Sequence, residues 1–266
     1  QFAEAKPLFN EIHQVPTGKY HIPANYYYGF ISYYDRQYSE ALMAFKLVET
    51  FNEYKGVVPY YIAEIYYFQG KKEEALRYGE SVLTRKTQLY YDKQLRLLMG
   101  QIYFEKKEYD KALPLLEAYV NSSDKVSKEV LYELSFCYYT AGETQKAING
   151  FKQLSNEKDS MGQNSMYLLG DLYLKTGEKA NARSAFQYSS YNSSNVLQQK
   201  VSRFNYAKLS YELGFQDVSR RDQLYFLTVL KSQHDCKKCP LLPPSNNSNH
   251  YIYIYEVPRN ILIPSL

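Results

Sequence analysis

The stretch HDCKKC, residues 234 to 239, places His234 beside Cys236 and Cys239, with His250 further on. Imidazole nitrogens and thiolates are the donors of tetrahedral zinc sites, which need four ligands, usually as two paired spacings. Here one Cys-x-x-Cys stands without a second pair, and the distance to His250 does not match a zinc finger. No metal and no cofactor are therefore expected. Acid–base chemistry is no better placed. His13 and His21 fall in the loop after the first helix, and paired acids such as Glu73 and Glu74, or Asp222 beside Arg221, read as solvated helix surface. A phosphate-cradling glycine loop and a nucleophile elbow are both missing from the sequence, which predicts a protein that is not an enzyme.

The side chain in excess is tyrosine. The 266 residues include 31 tyrosines and 13 phenylalanines but no tryptophan, an aromatic share of 17%. A phenol ring brings a large apolar area and a hydroxyl that tolerates water, so its natural chemistry is contact rather than catalysis. The net charge of +4 comes from Lys and Arg interleaved with Asp and Glu, which argues against a nucleic acid or a membrane surface as partner. No apolar run approaches the roughly 18 to 20 residues needed to span a bilayer, so direct membrane insertion is not expected. Three cysteines are too few for a disulfide framework, and Cys137, alone in an apolar helical segment, reads as packing.

The elements that position these aromatics are repeated. Gly29, Ala63, Gly100, Ser135, Gly170 and Ala207 recur at steps of 34, 37, 35, 35 and 37 residues. Twelve residues after each stands a second small residue: Ala41, Ala75, Ala112, Ala147, Ala182 and Ser219. Small residues in each of two consecutive helices allow close antiparallel packing, so Gly100 and Ala112 are expected to form the contact point of a helical hairpin. Tyr66, Tyr103, Tyr138 and Tyr173 follow one turn after the first small residue, and Gly70, Gly142 and Gly177 suit left-handed helix caps. Phe45, Leu116, Phe151 and Phe186 stand four residues beyond the alanines, with Gly79 and Gln223 as departures. Pro7 and Pro114 share one repeat position and are expected in the first turn of a second helix, where the missing N–H is no loss.

The pattern resembles the tetratricopeptide repeat, a helix–turn–helix unit of about 34 residues. The stretch YLLGDLYLKTGEKANARSAF, 167 to 186, carries nearly every signature position, and MGQIYFEKKEYDKALPLL is close to it. The resemblance implies an all-α right-handed superhelix of antiparallel helix pairs over residues 1–222. It divides into a partial unit at 1–20 and repeats near 22–55, 56–90, 93–126, 128–161, 163–198 and 200–222, the last one degenerate. It also implies that first helices line a concave groove. Residues three before the small position are Tyr26, Tyr60, Leu97, Tyr132, Tyr167 and Phe204; those one after are Phe30, Glu64, Gln101, Phe136, Asp171 and Lys208; those four after are Tyr33, Tyr67, Phe104, Tyr139, Leu174 and Tyr211. Such a groove would hold a protein segment, either an extended peptide or a partner helix. Tyr26, Phe30 and Tyr61 replace the lysine and asparagine with which chaperone-binding members grip a C-terminal carboxylate, and Glu64 and Asp171 oppose an RNA phosphate path. Spacer or assembly module, or accessory region of an enzyme whose catalytic domain lies elsewhere, is the alternative role.

The segments YYYGFISYYDRQYSEAL, VVPYYIAEIYYFQGK and FNYAKLSYELGF are also similar to the long tyrosine-rich, many-repeat proteins of the Bacteroidetes. That resemblance implies export and a place in the periplasm or cell envelope, with the cytoplasm as the alternative. The opening FAEAKPLFNEIHQVP reads as a second helix without its first, as if cut from a longer array with an apolar face open to self-association. Residues 223–266 lose the helical period and contain the alternating HYIYIYEV, so the C-terminal tail is expected to be irregular or β-like: an appended strand and loop, or sequence foreign to the array.

Overall fold

A computed structural model of the protein describes residues 2–215 apart from Thr17 and Lys86. The non-repeat tail 223–266, with His234, Cys236, Cys239 and His250, lies outside the described residues, as do Ser219, Arg221, Asp222 and Gln223. Among the described residues every regular element is an α-helix. They are α1 (Phe2–His13), α2 (His21–Tyr34), α3 (Tyr38–Val48), α4 (Val58–Phe68), α5 (Lys72–Leu83), α6 (Asp92–Glu105), α7 (Tyr109–Asn121), α8 (Lys128–Ala141), α9 (Thr144–Gln153), α10 (Ser160–Lys175), α11 (Lys179–Tyr191) and α12 (Val196–Glu212). The stretch near 22–55 holds α2 and α3, that near 56–90 α4 and α5, that near 93–126 α6 and α7, and so on to α12. His13 closes α1 and His21 opens α2, so neither lies in a loop as the sequence suggested. The backbone carbonyl of His21 also accepts from the Asn25 side chain, Nδ2, at 2.8 Å.

The chain forms two compact units that meet within α8, one up to Cys137 and the other from Tyr138. In the first, α1 packs on α2, and the hairpins α2–α3, α4–α5 and α6–α7 follow one another with α3 against α4 and α5 against α6. In the second, α9 packs on α10, α10 on α11 and α11 on α12.

One turn follows every first helix. Residues 36, 70, 107, 142, 177 and 214 all take positive φ, between 59° and 80°. The next N–H reaches back to a carbonyl in the last helical turn, as in Lys71 to Tyr66 at 2.9 Å and Glu178 to Tyr173 at 2.7 Å. This geometry satisfies carbonyls the helix end leaves free. Four of the six positions are glycine; Arg36 and Lys107 adopt the same conformation against the steric preference of an L side chain.

The small residues of the first helices make room for the second helices. A Cβ at Gly100 would lie 2.9 Å from Leu116 Cδ2, one at Gly29 3.0 Å from Phe45 Cδ1, and one at Gly170 2.8 Å from Phe186 Cε1. The contact that compensates the glycine is therefore the large side chain four residues beyond the alanine. Ala112 is itself fully buried. Phe45, Leu116 and Phe186 are fully buried knobs, each seated over a glycine that has no side chain to resist it.

The prolines sit deeper than expected. Pro7 and Pro114 are both inside their helices, five residues beyond Phe2 and Tyr109, where an N–H would ordinarily bond back to a carbonyl. The second helices begin three residues before the small position, which places the shared proline site in their second turn. Both helices nevertheless continue past it.

Candidate functional site

In the first unit, α2 carries Tyr26, Phe30 and Tyr33 at spacings of four and three, and α4 carries Tyr60, Glu64 and Tyr67 likewise, so each set forms a stripe along its helix. All six are partly buried. The rings continue from helix to helix. Tyr26 stacks on Tyr54 at 4.6 Å between centroids and approaches Phe30 at 6.3 Å; Phe30 meets Tyr34 at 4.8 Å and Tyr61 at 5.8 Å. Tyr61 touches Tyr33 at 5.1 Å and Tyr60 at 5.5 Å, and Tyr60 reaches Tyr91 at 5.2 Å. Edge-to-face and offset contacts of this kind add about 0.5–1.5 kcal/mol each beyond area burial. The platform has an open side, since Tyr34 is 56% exposed and Tyr27 49%.

Carboxylates lie among the rings. Glu64 accepts from the hydroxyl of Tyr33 on one oxygen and from that of Tyr60, at 2.8 Å, on the other. Burial, reinforced by this carboxylate, raises the pKa of both phenols. Tyr67 on α4 donates to Glu105 on α6 at 2.8 Å, and Glu105 is also paired with Lys72 Nζ at 2.8 Å. The Tyr67 phenol is pushed up to about 12, first by burial and then by Glu105.

Deeper along the unit the predicted row is closed. Phe104, Tyr132 and Phe136 are each under a tenth exposed and pack on one another, with Phe104 and Phe136 at 5.8 Å and Tyr132 and Phe136 at 6.2 Å. Gln101 donates to Glu133 Oε2 at 3.2 Å. Burial, followed by the nearby charges of Glu105 and Glu129, lifts the Glu133 carboxyl to about 7 despite that hydrogen bond.

The sign of the resulting pH dependence follows. The unfolded carboxyl titrates near 4.5, so between that value and about 7 the folded chain holds the extra proton, and stability falls as pH rises through this window. Glu133→Gln keeps a partner for Gln101 without the charge. It is expected to flatten the stability profile between pH 5 and 7 and to stabilise the protein at pH 8 by about 1–3 kcal/mol. Urea unfolding at pH 5 and pH 8 checks this, and an unchanged difference between the two pH values would refute it.

In the second unit the predicted residues mostly pack. Asp171 is 3% exposed, accepts from Tyr139 at 2.8 Å and pairs with Lys175 Nζ at 2.7 Å. Tyr167 and Phe204 are under a tenth exposed, with the Tyr167 ring 6.0 Å from Phe186. Lys208 reaches Glu212 at 3.9 Å, and Tyr211 is 79% exposed.

Several platform residues escaped the sequence pattern. Tyr34 falls one place outside the helical stripe, and Tyr54 and Tyr91 lie in the connections that precede α4 and α6, where no repeat register applies. Tyrosine excess in those connections was the available signal. Other tyrosines join helices away from the stripe: Tyr28 to Glu40 at 2.6 Å, Tyr78 to Glu49 at 2.5 Å and Tyr103 to Glu80.

The fold and this face define a tetratricopeptide-type α-solenoid. Family models described as tetratricopeptide repeat match residues 129–158 and 163–187. Among solved structures the chain is similar to YrrB, titled a TPR protein with an unusual peptide-binding site, at 14% identity over 71% of this chain and 94% of that one, with a TM-score of 0.57. It is similar also to two MamA structures, designated AMB-1 (17% identity, 67% of this chain and 94% of that one, TM-score 0.53) and MSR-1 (17%, 66% and 98%, TM-score 0.50). No curated protein matches the chain. No helix among the described residues is long and apolar enough to cross a membrane.

Proposed function

We propose that the protein is a non-catalytic interaction scaffold that binds a segment of another protein on the first-helix face of its first unit. The observation that carries this reading is the contiguous, partly exposed run of rings through Tyr26, Phe30, Tyr34 and Tyr33, continued across the buried Tyr61 to Tyr60, which is more than scattered surface aromatics. Tyrosine and phenylalanine are enriched where proteins meet, and their few rotatable bonds make ordering them on binding inexpensive. The fold adds support, because YrrB, which shares it, is by its title a peptide binder. The buried residues Phe104, Tyr132 and Phe136 then support the first unit from within rather than touch the partner, and Tyr167, Asp171 and Phe204 are packed inside the second.

A display library of random peptides tests this. The native chain is expected to enrich specific sequences, and the paired substitution Phe30→Ala with Tyr34→Ala to weaken a selected peptide at least about tenfold while circular dichroism stays unchanged. Undiminished binding by the variant would sink the assignment to this face. The second reading, a spacer or assembly module, rests on the tyrosine–carboxylate bonds that tie successive first helices, such as Tyr67 to Glu105, and is favoured if no peptide is enriched. The tyrosine-rich segments also support a cell-envelope location, and fractionation of the source cells that finds the protein only in the cytoplasm would exclude it.

A further inference from the structure

Three carboxylates accept from tyrosines of the first-helix stripes, Glu64, Glu105 and Asp171, and they are not equivalent. Glu105 has Lys72 at 2.8 Å and Asp171 has Lys175 at 2.7 Å. Glu64 accepts only phenol hydroxyls, those of Tyr33 and Tyr60, one on each oxygen. No lysine or arginine pairs with it among the described residues.

An ionised carboxylate has about four acceptor positions, so two remain unfilled at Glu64. Neutral donors orient the charge without cancelling it, and a partly buried charge with no counter-charge is costly to keep. The neighbourhood deepens this demand. Tyr33 and Tyr60 hold the carboxylate, Tyr61 touches both their rings and Phe30 touches Tyr61, and aromatic faces attract cations. Glu64 remains partly exposed, beside a platform edge opened by Tyr34. A neutral or acidic side chain arriving here would leave the carboxylate uncancelled or repelled. An ammonium or guanidinium would fill its free positions and lie against the rings.

We infer that the bound protein segment presents a lysine or arginine side chain to Glu64, so that the aromatic face selects basic peptides. This deepens the proposed function and rests on it. The complementary charge has to come from outside, whereas Asp171, at the equivalent position of α10, and Glu105, one turn beyond the equivalent Gln101 of α6, receive theirs from within the chain.

The test uses a random peptide library with the native chain and with Glu64→Gln, which keeps an acceptor for one phenol and removes the charge. The native chain is expected to enrich peptides with Lys or Arg at one fixed position. A synthetic peptide from that selection should bind at least about tenfold more weakly when the basic residue becomes norleucine, and by a similar factor when the protein is Glu64→Gln. The norleucine peptide should be insensitive to Glu64→Gln, the signature of a direct pair. Should Glu64→Gln fail to fold, Tyr60→Phe, which frees one carboxylate oxygen and keeps the charge, is expected to retain the basic preference. Enrichment without a basic position, or two additive losses, would overturn the pairing and leave the aromatic face standing as a binding site. No enrichment by the native chain would overturn both.

Discussion

Gln163→Leu is expected to destabilise the second unit by about 3–5 kcal/mol, although leucine matches the volume and the position makes no contact with the candidate binding face. Gln163 is fully buried at the start of α10, and its amide replaces a missing stretch of secondary structure. Nε2 lies 2.7 Å from the Asn192 carbonyl, 3.0 Å from that of Asn195 and 3.3 Å from that of Ser189, while Oε1 accepts from the Asn195 N–H at 2.6 Å. These are backbone groups of the last turn of α11 and of its connection to α12, which the helices leave without partners of their own. Asn195 also caps α12 by accepting from the Gln198 N–H at 3.0 Å, and Asn192 reaches back to the carbonyls of Lys158 and Asp159. Leucine would leave up to three carbonyls and one N–H buried without partners, each costing about 1–3 kcal/mol before relaxation admits water. Hydrogen exchange of the Asn195 amide should accelerate alongside a lower denaturation midpoint. A loss below about 1 kcal/mol, with exchange unchanged, would mean that the connection holds its shape without Gln163.

That residue also marks what one sequence can disclose. Small residues at fixed steps, a tyrosine one turn later and a glycine seven on are requirements of the hairpin itself, so they appear as a pattern. The turn at Gly70, Gly142 and Gly177 was legible for this reason. Arg36 and Lys107 were not, because the register imposes their backbone conformation without a residue type to announce it. Gln163 answers a need particular to one connection and has no counterpart at a repeat spacing. The tyrosines were legible as a surface but not in their division of labour. A stripe position tells which way a helix turns a side chain; it does not tell whether the next helix supplies a carboxylate for the hydroxyl. Tyr33, Tyr67 and Tyr139 each find one in the following first helix, so the same residue type both joins repeats and furnishes the open platform. Phe136 was indistinguishable from Phe30 by spacing, yet only Phe30 stays partly exposed.

Gly79 gives the sharpest case of a departure from pattern that the structure explains. Where Gly29, Gly100 and Gly170 each receive a large side chain from their own second helix, α5 has Gly79 at that position and offers none. Met99, on α6 and 2% exposed, fills the space instead, its sulfur 2.5 Å from where a Gly79 Cβ would stand. The hairpin α4–α5 thus borrows a core side chain from the next repeat. Met99→Ala should leave a cavity and cost about 2–5 kcal/mol. Gly79→Leu alone should also destabilise, by about 1–3 kcal/mol, because it collides with Met99. Together they should recover much of the loss, since the leucine then occupies the vacated space and restores the arrangement of the other units, less a small residual for imperfect fit. Denaturation of the two single variants and the double one measures the coupling. Strict additivity of the two losses would show that Met99 and Gly79 do not share one volume, and the account of the missing knob would fall.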